Sequence, residues 1–198
     1  MTQQTSALET LQHPHEGVVY FDHAATSYPK PSAVAQAMTD FMLNVGANPG
    51  RSGHRLAISA GRTVLQARDA VARFFNAPDA LRVVFGHNIT DALNALLWGY
   101  LRAGDHVITS SIEHNSVIRS VKRLTSQGFK VTSLSVDESG RVDPKDVADA
   151  ITDKTILVSV MHSNNETGTI QPIEEIGAIT RDKKVLFHCD AVDSVGVV

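Results

Sequence analysis

From His106 to His188 the sequence alternates short runs rich in valine and isoleucine with segments of helical period. That alternation is what most restricts the folds open to this chain. Strands are expected at Leu81–Phe85, His106–Thr109, Lys130–Val136, Thr155–Met161 and Val185–His188. Helices are expected between them at Thr90–Leu101, Ser116–Gln127, Pro144–Ile151 and Ile173–Thr180. Near-continuous apolar strands joined through helices predict an α/β fold, with a mainly parallel sheet flanked by helices.

The region before this alternation is less regular. Val18–Phe21 reads as a short strand, and Pro31-Ser32 can open a helix that runs to about Val45, with proline in the first turn where its missing N–H costs little. From Arg55 to Phe75, Ala60, Val64, Ala67, Val71 and Phe74 step by four and three, the stripe of an amphipathic helix. Residues 1–17 are polar, carry Pro14 and Gly17, and read as a disordered lead to a single domain over 18–198.

In open α/β sheets, ligands bind beyond the carboxyl ends of the strands. Four polar clusters fall there. Gly86–Ala92 opens a helix whose free N–H groups and dipole suit a phosphate, or are capped by Asn88 or Thr90. Ser110–Asn115 holds His114, which can stack on a flat ring and move a proton, or lie solvated in a loop. His162–Gly168 offers side-chain amides, or forms a turn. His188–Ala191 ends in Asp190, a carboxylate able to hold a protonated ring nitrogen or to cap the following turn.

Taken in order, these clusters resemble the motifs of the cysteine desulfurases within the class V aminotransferases. Tyr20–Thr26 is similar to their opening Y-[LF]-D-[NH]-A-A-T, and Asn48–His54 to the loop after their first helix. Thr90-Asp91-Ala92 with Asn94 resembles their phosphate loop, and Glu113-His114-Asn115 their E-H-[NK]. His162–Gly168 with Gln171-Pro172-Ile173, and His188–Gly196, resemble two further motifs.

The resemblance implies the large cofactor-binding domain of fold-type I (aspartate aminotransferase-like) enzymes, here a truncated, N-terminal part. It implies pyridoxal 5′-phosphate (PLP) as cofactor, no metal, and L-cysteine as the substrate from which sulfur is taken. It also implies a homodimer for the full-length parent. On the matching positions, Ile89 and Thr90 would hold the phosphate, and His114 would stack on the ring and act in catalysis. Asn165 would lie near the ring oxygen and Asp190 would pair with the ring nitrogen.

Three departures accompany the resemblance. The family's Schiff-base lysine lies beyond Asp190, and residues 191–198 hold no lysine; Lys183 and Lys184 match nothing. The family's sulfur-accepting cysteine and its substrate-carboxylate arginine also lie beyond these residues. Cys189 is not that cysteine: strand alternation turns it away from Asp190's face, toward packing as a small hydrophobe. Asp193 stands where the family has a glutamine, and an ionised carboxylate cannot donate to the ring oxygen. The expectation for these 198 residues alone is therefore weak, non-covalent cofactor binding and no activity. The alternatives are another class V activity, or a remnant that needs a separate C-terminal chain.

Composition limits the remaining classes. A net charge of -3 gives no basic footprint for nucleic acid or anionic membrane. One cysteine excludes an internal disulfide framework. No run approaches the about 20 apolar residues of a membrane span, and Met1–Glu16 has no signal-peptide core. A cytoplasmic protein is expected.

Overall fold

The structure, a computed structural model, describes residues 17–197. The expected disordered lead falls on residues outside this range, apart from Gly17. The described residues form two compact units, one up to Phe85 and one from Gly86.

The first unit holds α1 (Ser32–Asn44), α2 (Arg55–Phe74) and a 3-10 turn at Ala80–Arg82. The Nδ1 atom of His54 caps α2 by accepting the Ala57 N–H at 3.3 Å. The buried side of α2 runs through Ala57, Ala60 and Ala72. Ala67 and Phe74, assigned to the buried stripe from periodicity, are exposed instead. The buried face has rotated by about one position along the helix, and Phe74 packs edge-to-face on Phe75.

Two expected strands are absent. Val18–Phe21 is irregular, with Phe21 90% exposed. At Leu81–Phe85 the Asp79 carboxylate accepts the Leu81 N–H at 2.8 Å and winds Ala80–Arg82 into the 3-10 turn. Val83–Phe85 continues without regular structure and pairs with no strand among the described residues. An apolar run becomes a strand only when a neighbour takes its N–H and C=O groups.

The second unit is the expected α/β layer. It contains α3 (Ile89–Tyr100), β1 (His106–Ser110), α4 (Asn115–Ser126), β2 (Lys130–Leu134), α5 (Pro144–Ala150), β3 (Thr155–Met161), α6 (Ile173–Asp182) and β4 (Leu186–Asp190). All pairings are parallel, in the order β2-β1-β3-β4. Side chains alternate between two cores. Ile108, Leu134, Val158 and Val160 pack with Val147 of α5 and Ile176 of α6. Val107 and Leu157 point the other way, onto Leu97 of α3 and Leu124 of α4.

The strand order matters for function. From β1 the chain moves to one side to make β2, then crosses to the other side of β1 to make β3 and β4. The helix after β1 packs on one face of the sheet and the helix after β3 on the other. The loops leaving the carboxyl ends of β1 and β3 therefore diverge, and a crevice opens between them. Such a switch point is where open α/β sheets take ligands.

Candidate functional site

Every expected site residue lies in the second unit. Ile89 and Thr90 are the first residues of α3. The Asn88 side chain caps this helix by accepting the Asp91 N–H at 2.9 Å, which leaves the Ile89 and Thr90 N–H groups at the helix mouth. Asp91 brings a carboxylate into the same turn, 3.6 Å from exposed His87.

His114 follows β1 and is the N-cap of α4. Its Nδ1 accepts the Ser116 N–H at 3.2 Å and lies 2.8 Å from the Ser116 hydroxyl. The capping role and an exposed ring coexist in one residue. His114 borders two hollows. One, of about 440 Å³, is shared with Thr90, Asn94, Arg119 and Arg123. The other, of about 290 Å³, is shared with Glu113, Asn165 and Glu166. His114 thus links the α3 mouth to the loop after β3.

Asn165 stands in that loop, half-buried. Its neighbour Asn164 builds the loop: Asn164 Oδ1 accepts the Glu166 and Thr167 N–H groups at 2.9 Å each, and the Gly168 N–H returns to the Asn164 carbonyl at 2.8 Å. The turn expected from the Asn-Asn and Gly pattern is present, and it is what holds Asn165 at the strand end.

Asp190 ends β4, 6% exposed, on the same sheet face as α3 and α4. Among the described residues its carboxylate accepts one side-chain hydrogen bond, from the Val192 N–H at 3.2 Å. Two places earlier on that face, His188 lies 2.9 Å from the Ser159 hydroxyl. Burial holds the His188 ring below the usual histidine range, and the Asp190 charge pulls the other way. Thr109, opposite Ser159 in register, keeps a buried hydroxyl with no hydrogen-bond partner among the described residues.

Cys189 lies on the opposite side of the strand, as alternation predicts, but half-buried rather than fully packed. Burial first, then Asp190 and Glu113, push its thiol up to about 11, so it is not a nucleophile near neutral pH. Asp193 is half-buried in the turn after β4.

Two residues at the crevice carry roles that their sequence motifs do not announce. Glu113 is 4% exposed. It accepts the Ser110 hydroxyl at 2.5 Å, and both its oxygens lie 3.1 Å from the Met161 N–H. Burial, opposed by those hydrogen bonds and helped by the Asp190 charge, raises its carboxyl to about 7. Asn164 donates from Nδ2 to the Ile112 carbonyl at 2.8 Å. The one available hint was a glutamate placed just after an apolar strand, where burial is expected.

The donor set matches the needs of a phosphorylated pyridine: N–H groups at a helix mouth, an exposed imidazole, and a buried carboxylate with spare acceptor capacity. The comparisons agree. The aminotransferase class-V family matches residues 19–197. The chain belongs to that family, whose members depend on PLP. It is 40% identical over 183 residues to a cysteine desulfurase IscS of Clostridium botulinum (strain Kyoto / Type A2), covering 91% of this chain and 46% of that one. Two solved structures are also similar. "NIFS-LIKE PROTEIN" has a TM-score of 0.82 and 33% identity, covering 90% of this chain and 50% of its own. "SspA in complex with cysteine" has 0.79 and 35%, covering 87% and 50%. The chain spans about half the length of the curated relatives it matches. Its parallel, helix-flanked sheet is the corresponding part of the fold-type I architecture. Among the described residues, no helix is long and apolar enough to cross a membrane.

Proposed function

We propose that residues 18–198 form the cofactor-facing part of a PLP-dependent enzyme that takes sulfur from L-cysteine and leaves L-alanine. The observation that carries this reading is Asp190. It is a carboxylate 6% exposed at a strand's carboxyl end, on the sheet face shared with α3 and α4, and one backbone N–H bonds it among the described residues, which leaves acceptor capacity for a ring N–H. The names of the relatives, cysteine desulfurase IscS and SspA in complex with cysteine, support the choice of substrate.

When bound, PLP supplies an electron-poor ring able to take up charge that develops on the substrate. The residues divide the work of holding it. The Ile89 and Thr90 N–H groups, with the Thr90 hydroxyl, bind phosphate. Asp190 pairs with the protonated ring nitrogen through a charge-assisted hydrogen bond. Asn165 orients the ring oxygen and the amino-acid portion of the substrate. His114 stacks on the ring. Because its Nδ1 already accepts the Ser116 N–H, the neutral imidazole carries its proton on Nε2, the atom left to exchange protons. Asp193 offers only acceptors toward the ring oxygen and opposes binding there. The same reading makes the complete protein a cytoplasmic homodimer without nucleic-acid or membrane partners.

Binding to residues 1–198 rests on these contacts alone, since residues 191–198 hold no lysine. The expected dissociation constant is on the order of 1 mM, equivalent to about 4 kcal/mol. Calorimetry with pyridoxine 5′-phosphate measures it without reaction at surface lysines, because this analogue lacks the aldehyde. With PLP and cysteine, the purified 198 residues are expected to release no sulfide. Release that survives exclusion of contaminating enzyme would show that the anchor has been misassigned. Asp193→Gln restores a donor and is expected to tighten binding about fivefold, roughly 1 kcal/mol. Unchanged affinity would mean that Asp193 points elsewhere.

A further inference from the structure

The crevice between the loops after β1 and β3 is tied across by two reciprocal bonds. Glu113 of the first loop accepts the Met161 N–H at the end of β3, and Asn164 of the second donates to the Ile112 carbonyl. Glu113 also binds its own strand end through the Ser110 hydroxyl. Both ties sit one residue from a proposed site residue: Glu113 precedes His114, and Asn164 precedes Asn165. The spacing of His114 and Asn165 across their shared hollow is therefore set by the two neighbouring side chains, Glu113 and Asn164, which line the same hollow.

We propose that Glu113 is a positioning residue of the site, holding the His114 loop to the end of β3 and coupling that hold to the charge on Asp190. This rests on the PLP reading above for its functional meaning, but the clamp and the coupling are properties of the chain alone. The ionisable groups around Glu113 are Asp190 and Cys189 at the end of β4, Glu166 in the loop after β3, His162 next to Met161, and His114 itself. Asp190 pairs in register with Met161, the residue whose N–H Glu113 holds, and the charge of this adjacent carboxylate disfavours the ionised form of Glu113. A cation set against Asp190 relieves that repulsion, so Glu113 ionises more readily and grips the Met161 N–H more strongly. Filling the ring-nitrogen position thus tightens the loop that carries His114.

The amide of Met161 reports this directly, because its proton lies on the Glu113 carboxyl. In 15N-resolved spectra of residues 1–198, that amide is expected to titrate with a midpoint near the value of about 7 for Glu113. The titration disappears in Glu113→Gln, and its midpoint moves down in Asp190→Asn. A Met161 amide that ignores pH, one that still titrates in Glu113→Gln, or a midpoint unmoved in Asp190→Asn each overturns the proposal. Should Glu113→Gln fail to fold, the wild-type and Asp190→Asn titrations decide the matter alone. Saturating pyridoxine 5′-phosphate is expected to lower the midpoint as Asp190→Asn does. If the variant lowers it and the ligand does not, the clamp stands and the cofactor reading fails.

Discussion

Replacing Glu113 with glutamine is expected to stabilise residues 1–198 at pH 8 while leaving them nearly unchanged at pH 5. The reason is the cost of a buried charge. Glu113 is 4% exposed, and its carboxyl is raised to about 7 from an ordinary 4.5. In the folded state it binds its proton more tightly than in the unfolded chain. The stability tied to that proton is complete below about pH 4.5 and is lost as pH rises through about 7. The loss is about 3 kcal/mol at most, from the size of the shift. Glutamine keeps the shape of the protonated acid and an oxygen for the Met161 N–H, and it never ionises. Denaturant melts of wild type and Glu113→Gln across pH 5–8 should diverge as pH rises, with the variant the more stable. Parallel curves would mean that Glu113 is solvated or already ionised at pH 5.

The second large effect concerns binding. Asp190→Asn is expected to weaken pyridoxine 5′-phosphate by tenfold to a hundredfold, because a hydrogen bond to a charged group contributes roughly 1.5–3 kcal/mol. The same substitution removes a buried carboxylate that repels Glu113, so the fold should not suffer. Loss of affinity with an unchanged or higher melting temperature is the expected pattern. Equal affinity in the two proteins would detach Asp190 from the ring nitrogen.

What the sequence made legible follows from where each instruction resides. The elements from α3 to β4 could be read because β1 and β3 are local Val/Ile-bearing runs, because β2 and β4 open on short apolar or β-branched stretches between helices, and because three of the helices carry their own caps in Asn88, His114 and Asp143. Val18–Phe21 and Leu81–Phe85 could not. Their composition favours strand, but a strand is completed by a partner, and among the described residues they have none. Thr90, His114, Asn165 and Asp190 were placed at element ends by their position after apolar runs or before a helix. Thr90 and His114 line one hollow and His114 and Asn165 another, while Asp190 lines neither and lies at the end of β4, in register with Met161. Glu113 and Asn164 were missed as working residues because their roles lie in bonds to Met161 and Ile112, some fifty positions away in the chain. A similar long-range pair explains Gln171. Its buried side chain accepts the Val142 N–H at 2.9 Å and donates to the Gly140 carbonyl at 2.7 Å. Gly140 takes φ +81° there, and an added Cβ would come 3.1 Å from the Thr169 hydroxyl oxygen. No local pattern announces such a contact.

The central claim is that the carboxyl-end crevice of this sheet is a PLP site. Mapping amide shifts on addition of pyridoxine 5′-phosphate tests it most directly. The account predicts saturable changes at Ile89, Thr90, the His114–Ser116 cap, Asn165 and Ala191–Val192, all weakened together in Asp190→Asn. Saturable changes confined to the opposite end of the sheet, around His106, Lys130 and Lys154, and indifferent to Asp190→Asn, would contradict it.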